Sequence, residues 1–89
     1  MKAVVSVIGK DRKGIIAEVS GILYKNGVNI LDISQTIMQD EYFTMVMMIE
    51  LEENAGLSKL GEELSLKGKE LGVEIRIQHE DVFNSMHRI

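Results

Sequence analysis

Asp11, Lys13 and Gly14 stand just before a stretch with helical apolar spacing, and Asn29 follows closely on the glycine that ends it. The first turn of a helix carries unpaired N–H groups and a partial positive charge, which suit a carboxylate or phosphate. The carboxylate of Asp11 can hold an ammonium group. N–H donors and a carboxylate in one place suit a zwitterion, that is, an amino acid. Gly14 lets a ligand or a neighbouring backbone approach the first turn closely. Asn29 offers both a donor and acceptors. Each residue also has a plainer reading. Asp11 can cap the helix, with Lys10, Arg12 and Lys13 solvated, and Asn29 can be a turn residue after Gly27.

Other residues suggest other chemistry, more weakly. Arg12 with Asn29 or Asn26 can hold a phosphate and orient water, as a small acylphosphatase does. The loop lacks the Gly-x-Val-x-Gly-Val-x-Phe-Arg run such an enzyme uses. Tyr42 and Phe43 on one strand suggest bases stacking on a sheet, but no basic-glycine-aromatic run surrounds them. His79 and His87 lie eight apart without further ligands, a poor metal site. Met38, Met45, Met47 and Met48 read as core or interface rather than copper ligands, because methionine fills adaptable apolar surfaces.

Composition narrows the classes. With 89 residues the chain makes one small domain. A domain of this size buries only roughly 60–65 % of its unfolded surface, so a partner subunit helps it. The net charge of −4 argues against a nucleic-acid partner, which needs a basic face. The absence of cysteine removes disulfides, thiolate zinc sites and thiol nucleophiles. The longest apolar run near the middle, Met45–Ile49, is too short to span a bilayer. The opening MKAVVSVIGKD reads as a strand rather than a signal peptide, so a cytoplasmic location is expected. No cofactor, metal, nucleic acid or membrane is expected as a partner.

The elements that must position these residues follow from hydrophobic period. Lys2–Ile8 alternates, with Ala3, Val5 and Val7 on one face and Val4, Ser6 and Ile8 on the other. Gly9–Lys13 breaks the pattern as a loop. From Gly14 the period becomes helical, with Ile15, Ile16, Val19, Ile22 and Leu23 in one stripe, until Asn26-Gly27 stops it. Val28–Met38 is a second strand whose phase slips near Ile30–Leu31, which predicts a bulge or a bend there. Gln39-Asp40-Glu41 is a turn and Tyr42–Leu51 a third strand, with Phe43, Met45, Met47 and Ile49 inward. Glu52–Gly56 is a loop. Leu57–Leu71 is a second helix on a Leu57, Leu60, Leu64, Leu71 stripe, weakened by Gly61 and Gly68. Its charges read as a solvated face with i,i+4 pairs such as Glu63–Lys67. Val73–His79 is a fourth strand. Residues 81–89 form a tail, with Asp81 near the start of a short helix and Val82, Phe83 and Met86 as its apolar edge.

The order β-α-β-β-α-β predicts an α+β, ferredoxin-like domain over residues 1–80, with an antiparallel four-stranded sheet and both helices on one face. Gly27-Val28-Asn29-Ile30 is echoed by Gly72-Val73-Glu74-Ile75, one quartet in each half. The open face carries Val4, Ile8, Val46 and Met48 with Tyr42. A monomer seldom leaves such a patch bare, which predicts a homodimer or higher homo-oligomer.

The run DRKGIIAEVSGILYKNGVNILDISQ resembles the signature of the ACT domain, a small-molecule-sensing module of regulated amino-acid enzymes. The pattern there is Asp-Arg-Pro-Gly, an apolar helix, then Gly-Val-Asn-Ile into strand two. Asp11, Arg12 and Gly14 match, as do Gly27, Val28, Asn29 and Ile30, while Lys13 replaces the usual proline. The chain is similar to small stand-alone ACT proteins and to the glycine-cleavage repressor type. The resemblance implies non-catalytic, allosteric binding of an amino acid between subunits. It implicates Asp11, Lys13, Gly14 and Ile15 from one chain and Asn29 and Ile30 from its neighbour. A different protein would then read the change. The alternative is a ligand-free module that docks onto an enzyme or regulator.

Overall fold

A computed structural model describes residues 1–39, 41–52 and 56–82. Six elements run in the order β1 (Lys2–Lys10), α1 (Ile15–Lys25), β2 (Asn29–Met38), β3 (Tyr42–Glu50), α2 (Leu57–Leu71) and β4 (Val73–His79). All strand pairs are antiparallel, in the order β2-β3-β1-β4. This is the ferredoxin-like arrangement the sequence predicts, with β2 and β4 at the edges. Right-handed crossovers put both helices on one face of the sheet, and α2 packs against β4 there.

The inward faces meet in one core. Val5, Val7, Met45, Met47 and Ile49 come from the two central strands, Ile15, Val19 and Leu23 from α1, and Leu60 and Leu64 from α2. Burying a side chain of this kind contributes about 1.5–3 kcal/mol. The end of α1 is closed by backbone bonds. Gly27 takes φ +70°, the Gly27 N–H donates to the Tyr24 carbonyl, and the Val28 N–H donates to that of Leu23. Those two bonds satisfy carbonyls the helix leaves open, and the positive φ is what favours glycine at 27.

The predicted bulge is present. The β2–β3 register runs Ile30 to Ile49 and then Asp32 to Met48, leaving Leu31 as the extra residue. The bulge restores phase, so Ile30, Ile33 and Ile37 share the helix side of the sheet with Ile49, Met47 and Phe43.

Several expectations need correction. Gly9 is not loop: β1 continues through Lys10. A Cβ at Gly9 would lie 2.7 Å from Cγ1 of Val73, so this glycine lets β1 and β4 pair. Gly61 and Gly68 also have a packing role. They face β4, where a Cβ would lie 3.1 Å from Cγ2 of Ile77 and 2.7 Å from the Val73 carbonyl oxygen, respectively. Glu63 and Lys67 do not pair along α2. Each reaches across to α1, Glu63 to Lys25 at 2.7 Å and Lys67 to Glu18 at 3.0 Å. Val4, on the open face, is covered, at 4 % exposure. Residues 80–82 are helical, whereas Phe83 and Met86 of the expected tail helix, like Asp40 of the expected turn, lie outside the described residues.

Candidate functional site

The loop from Asp11 to Gly14 joins the end of β1 to the start of α1. The Asp11 N–H donates to the Glu41 carbonyl at 2.8 Å, and Lys10 Nζ lies 3.8 Å from the Glu41 carboxylate. These contacts tie the loop to the β2–β3 turn. On its other side Arg12 Nη1 donates to the carbonyls of Glu70 and Leu71, each at 3.5 Å. A guanidinium at the C-terminal end of α2 meets the negative end of that helix and its unpaired carbonyls. Arg12 is thus turned towards α2.

Gly14 is the N-cap of α1, with φ +89° and no side-chain cap. A Cβ on Gly14 would meet nothing within 4 Å, so backbone conformation rather than crowding calls for glycine. The capping reading of Asp11 is therefore not what forms here. Asp11, Lys13 and Gly14 are exposed together around the open first turn of α1. Ile15 follows them, but its side chain is in the core at 1 % exposure, which leaves its backbone N–H for the loop.

Asn29 and Ile30 lie at the other end of the sheet. Asn29 pairs with Glu50 and Ile30 with Ile49, whereas Lys10 and the loop lie beside Tyr42. The two ends are about 26 Å apart along the strands at the usual rise per residue. Asn29 borders a shallow hollow of about 360 Å³ with Met1, Gly27, Glu50 and Leu51. One chain therefore brings Asp11, Lys13 and Gly14 together and holds Asn29 and Ile30 apart from them.

The edge on which Asn29 sits is bare. Every residue of β2 is exposed, whereas α2 packs against the opposite edge strand, β4. Ile33 and Ile37 on the helix side are each 45 % exposed. The alternating pattern showed that these isoleucines share a face; it carries no signal that the face lies beyond the helices.

A wider hollow of about 710 Å³ lies between α1 and α2, over Ala17, Gly21 and Ile22. Its charges are paired with one another. The Lys25 ammonium, and then the Asn26 amide, hold the Glu63 carboxyl below its ordinary range. Lys67 does the same to Glu70, which with Glu18 pushes the lysine up. Asn26 also donates to the Ile22 carbonyl at 2.8 Å, so it joins the two helices rather than facing a phosphate.

Among the described residues no cluster of three or more His, Asp or Glu is placed to hold a metal ion. His79 Nδ1 accepts from the Asp81 N–H at 3.1 Å, and His87 lies outside the described residues. No helix among the described residues is long and apolar enough to cross a membrane.

Comparison with known proteins agrees with this geometry. A UPF0237 protein of Clostridium acetobutylicum is 58 % identical, with the whole of both chains aligned. An ACT domain protein from Streptococcus pneumoniae superposes with a TM-score of 0.83 at 44 % identity, over 93 % of each chain. A putative glycine cleavage system transcriptional repressor superposes at 0.77 and 25 % identity, over 86 % of this chain and 44 % of that one. The model of the ACT domain family matches residues 2–78, and the chain belongs to that family.

Proposed function

We propose that this protein is a non-catalytic sensor that binds an amino acid between two copies of itself. ACT domains typically bind regulatory small molecules, and the finer reading rests on the division of the expected site. Asp11, Lys13 and the open first turn of α1 stand at one end of the sheet, and Asn29 stands at the other on a bare edge strand. An antiparallel pairing of β2 with β2 of a second copy carries Asn29 of one chain to the loop end of the other. The ligand ammonium then meets Asp11, and its carboxylate meets Lys13 and the N–H groups of the first turn. Ile33 and Ile37 are covered by the same pairing.

Ligand size limits affinity. About ten heavy atoms at no more than about 1.5 kcal/mol each, less the cost of association, leave micromolar to millimolar binding. The signal is the ligand's preference for one arrangement of the pair, typically about 1–3 kcal/mol, and a separate protein reads it.

Thermal-shift measurements with the twenty amino acids test this. A rise in melting temperature with one or a few of them, lost in Asp11→Ala and in Asn29→Ala, is the expected result. No rise with any amino acid at millimolar concentration overturns the proposal.

A further inference from the structure

Gly21 stands inside α1 without a reason in its own chain. Glycine is unfavourable in a helix interior. Gly61 and Gly68 of α2 are explained by β4, since a Cβ on either would crowd Ile77 or Val73. Gly21 keeps ordinary helical backbone, and a Cβ there would meet nothing within 4 Å. Its missing side chain opens the floor of the hollow of about 710 Å³ between the helices. Across that hollow stands Leu66 of α2, which is 64 % exposed. The two helices run antiparallel, and the ion pairs Glu18–Lys67 and Lys25–Glu63 bring Leu66 level with Gly21 to within a turn.

We infer that the outer face of the two helices packs against the same face of a second copy, about a two-fold axis parallel to the helices, with Leu66 of each chain seated over Gly21 of the other. This rotation lays α1 of one copy over α2 of its partner and keeps every residue at its own height. A protruding side chain on one helix and a gap on the other, at one height, are what such an axis requires. A two-fold axis across the helices instead sets Gly21 against the partner's Gly21 and Leu66 against the partner's Leu66. That leaves a void beside a collision, which close packing does not tolerate. Shape thus selects both the occupant and the axis.

Charge agrees, although the charged groups lining the hollow already have partners. Lys25 is paired with Glu63, and Lys67 with Glu18 and Glu70, within the chain. Under the proposed rotation each pair is laid over its own copy, so Lys25 comes to the partner's Glu63 and Glu18 to the partner's Lys67. Lys13, ahead of α1, comes level with the partner's Glu70. The outward side of α1, Ala17, Gly21 and Tyr24, is uncharged and exposed. It receives Lys59, Glu62 and Lys69 of the partner's α2, whose stems can lie along it with their charged heads in water. The axis across the helices brings Glu62 against the partner's Glu70 instead.

The contact is small. Helices of 11 and 15 residues, about 16 and 22 Å long and about 10 Å across, present about 400 Å² per copy, so the pair buries about 800 Å². That is the range of weak, transient association. The contact uses neither the β2 edge nor the open face of the sheet, and it does not rest on the sensor reading.

The test is sedimentation velocity of the full chain from micromolar to millimolar concentration, in the Ile33→Glu background, which removes the β2-edge contact. A mean mass that rises with concentration is expected. Gly21→Leu fills the gap and should raise the dissociation constant of this association at least about tenfold. The same variant should raise the melting temperature of the dilute chain, because leucine is the better helix former. Leu66→Ala removes the protruding side chain and should weaken association as much, with an unchanged circular dichroism spectrum. The double variant Gly21→Leu/Leu66→Ala exchanges the two and should recover most of the loss. A chain that stays monomeric throughout, or whose association is unchanged in either single variant, overturns the inference. A double variant no tighter than Gly21→Leu alone overturns the axis.

Discussion

Gly68 of α2 lies against Val73 of β4 so closely that a Cβ on the glycine would stand 2.7 Å from the Val73 carbonyl oxygen. Val73 is held from a second side by Gly9, where a Cβ would lie 2.7 Å from its Cγ1. Both glycines are set inside regular elements, where the residue is intrinsically unfavourable. Their presence there marks the place where helix, edge strand and central strand converge. That convergence holds the end of α2 beside the loop that bears Asp11.

Gly68→Ala should therefore destabilise the fold, although alanine is the better helix former. The gain in propensity is about 1 kcal/mol. The clash is with backbone, which yields little, and overpacking of this kind costs about 1–3 kcal/mol. A net loss of up to about 2 kcal/mol is expected from urea unfolding. Gly21→Ala is the control. It is also helical, but a Cβ there meets nothing within 4 Å, so it should stabilise by about 0.5–1 kcal/mol. Equal effects at the two sites would contradict the packing.

Ile33→Glu should change stability little, since Ile33 is 45 % exposed, and surface substitutions usually stay within about 0.5 kcal/mol. It should nevertheless abolish the amino-acid thermal shift, because it charges the edge across which the proposed site is assembled. Retained binding in this variant would place the ligand within a single chain and against the division between Asp11 and Asn29.

The acid limb of stability should depend on Glu63. Its pKa lies below the ordinary 4.5 because Lys25, and then Asn26, bond the carboxylate. A depressed carboxyl contributes stability that is complete above its unfolded pKa and is lost as pH falls through the folded one. Glu70, held down by Lys67, acts in the same direction. Calorimetry between about pH 6 and about pH 3 should show a falling melting temperature, and Glu63→Gln should flatten that fall. The pair is on the surface, so the effect is small and weakens with added salt.

How much of this was legible in the sequence depended on range. The Leu60, Leu64, Leu71 stripe gave the bounds of α2, and the phase slip at Ile30–Leu31 gave the bulge, because a period of two cannot absorb an extra residue unnoticed. The loop residues Asp11, Lys13 and Gly14 were placed at a helix start by the same change of period. What periodicity does not contain is which distant element a side chain meets. Glu63 paired with a residue of α1, Arg12 with the end of α2, and Gly9 was mistaken for loop because its reason is Val73. The exposure of Ile33 and Ile37 is likewise a property of strand order, not of β2 itself.

Arg12 shows that difference most sharply, and its variant tests whether it serves the fold or the ligand. Its guanidinium reaches the carbonyls of Glu70 and Leu71 at 3.5 Å, long for hydrogen bonds, so much of the attraction is between charge and helix end. Such contacts contribute about 0.3–1 kcal/mol at an exposed helix terminus. Arg12→Ala should lower stability by about that amount, and Arg12→Lys should keep part of it by keeping the charge. Both variants should keep the amino-acid thermal shift of the parent, because Asp11, Lys13 and the first turn of α1 are untouched. If Arg12→Ala removes the shift while leaving stability unchanged, the guanidinium acts on the ligand and not on α2.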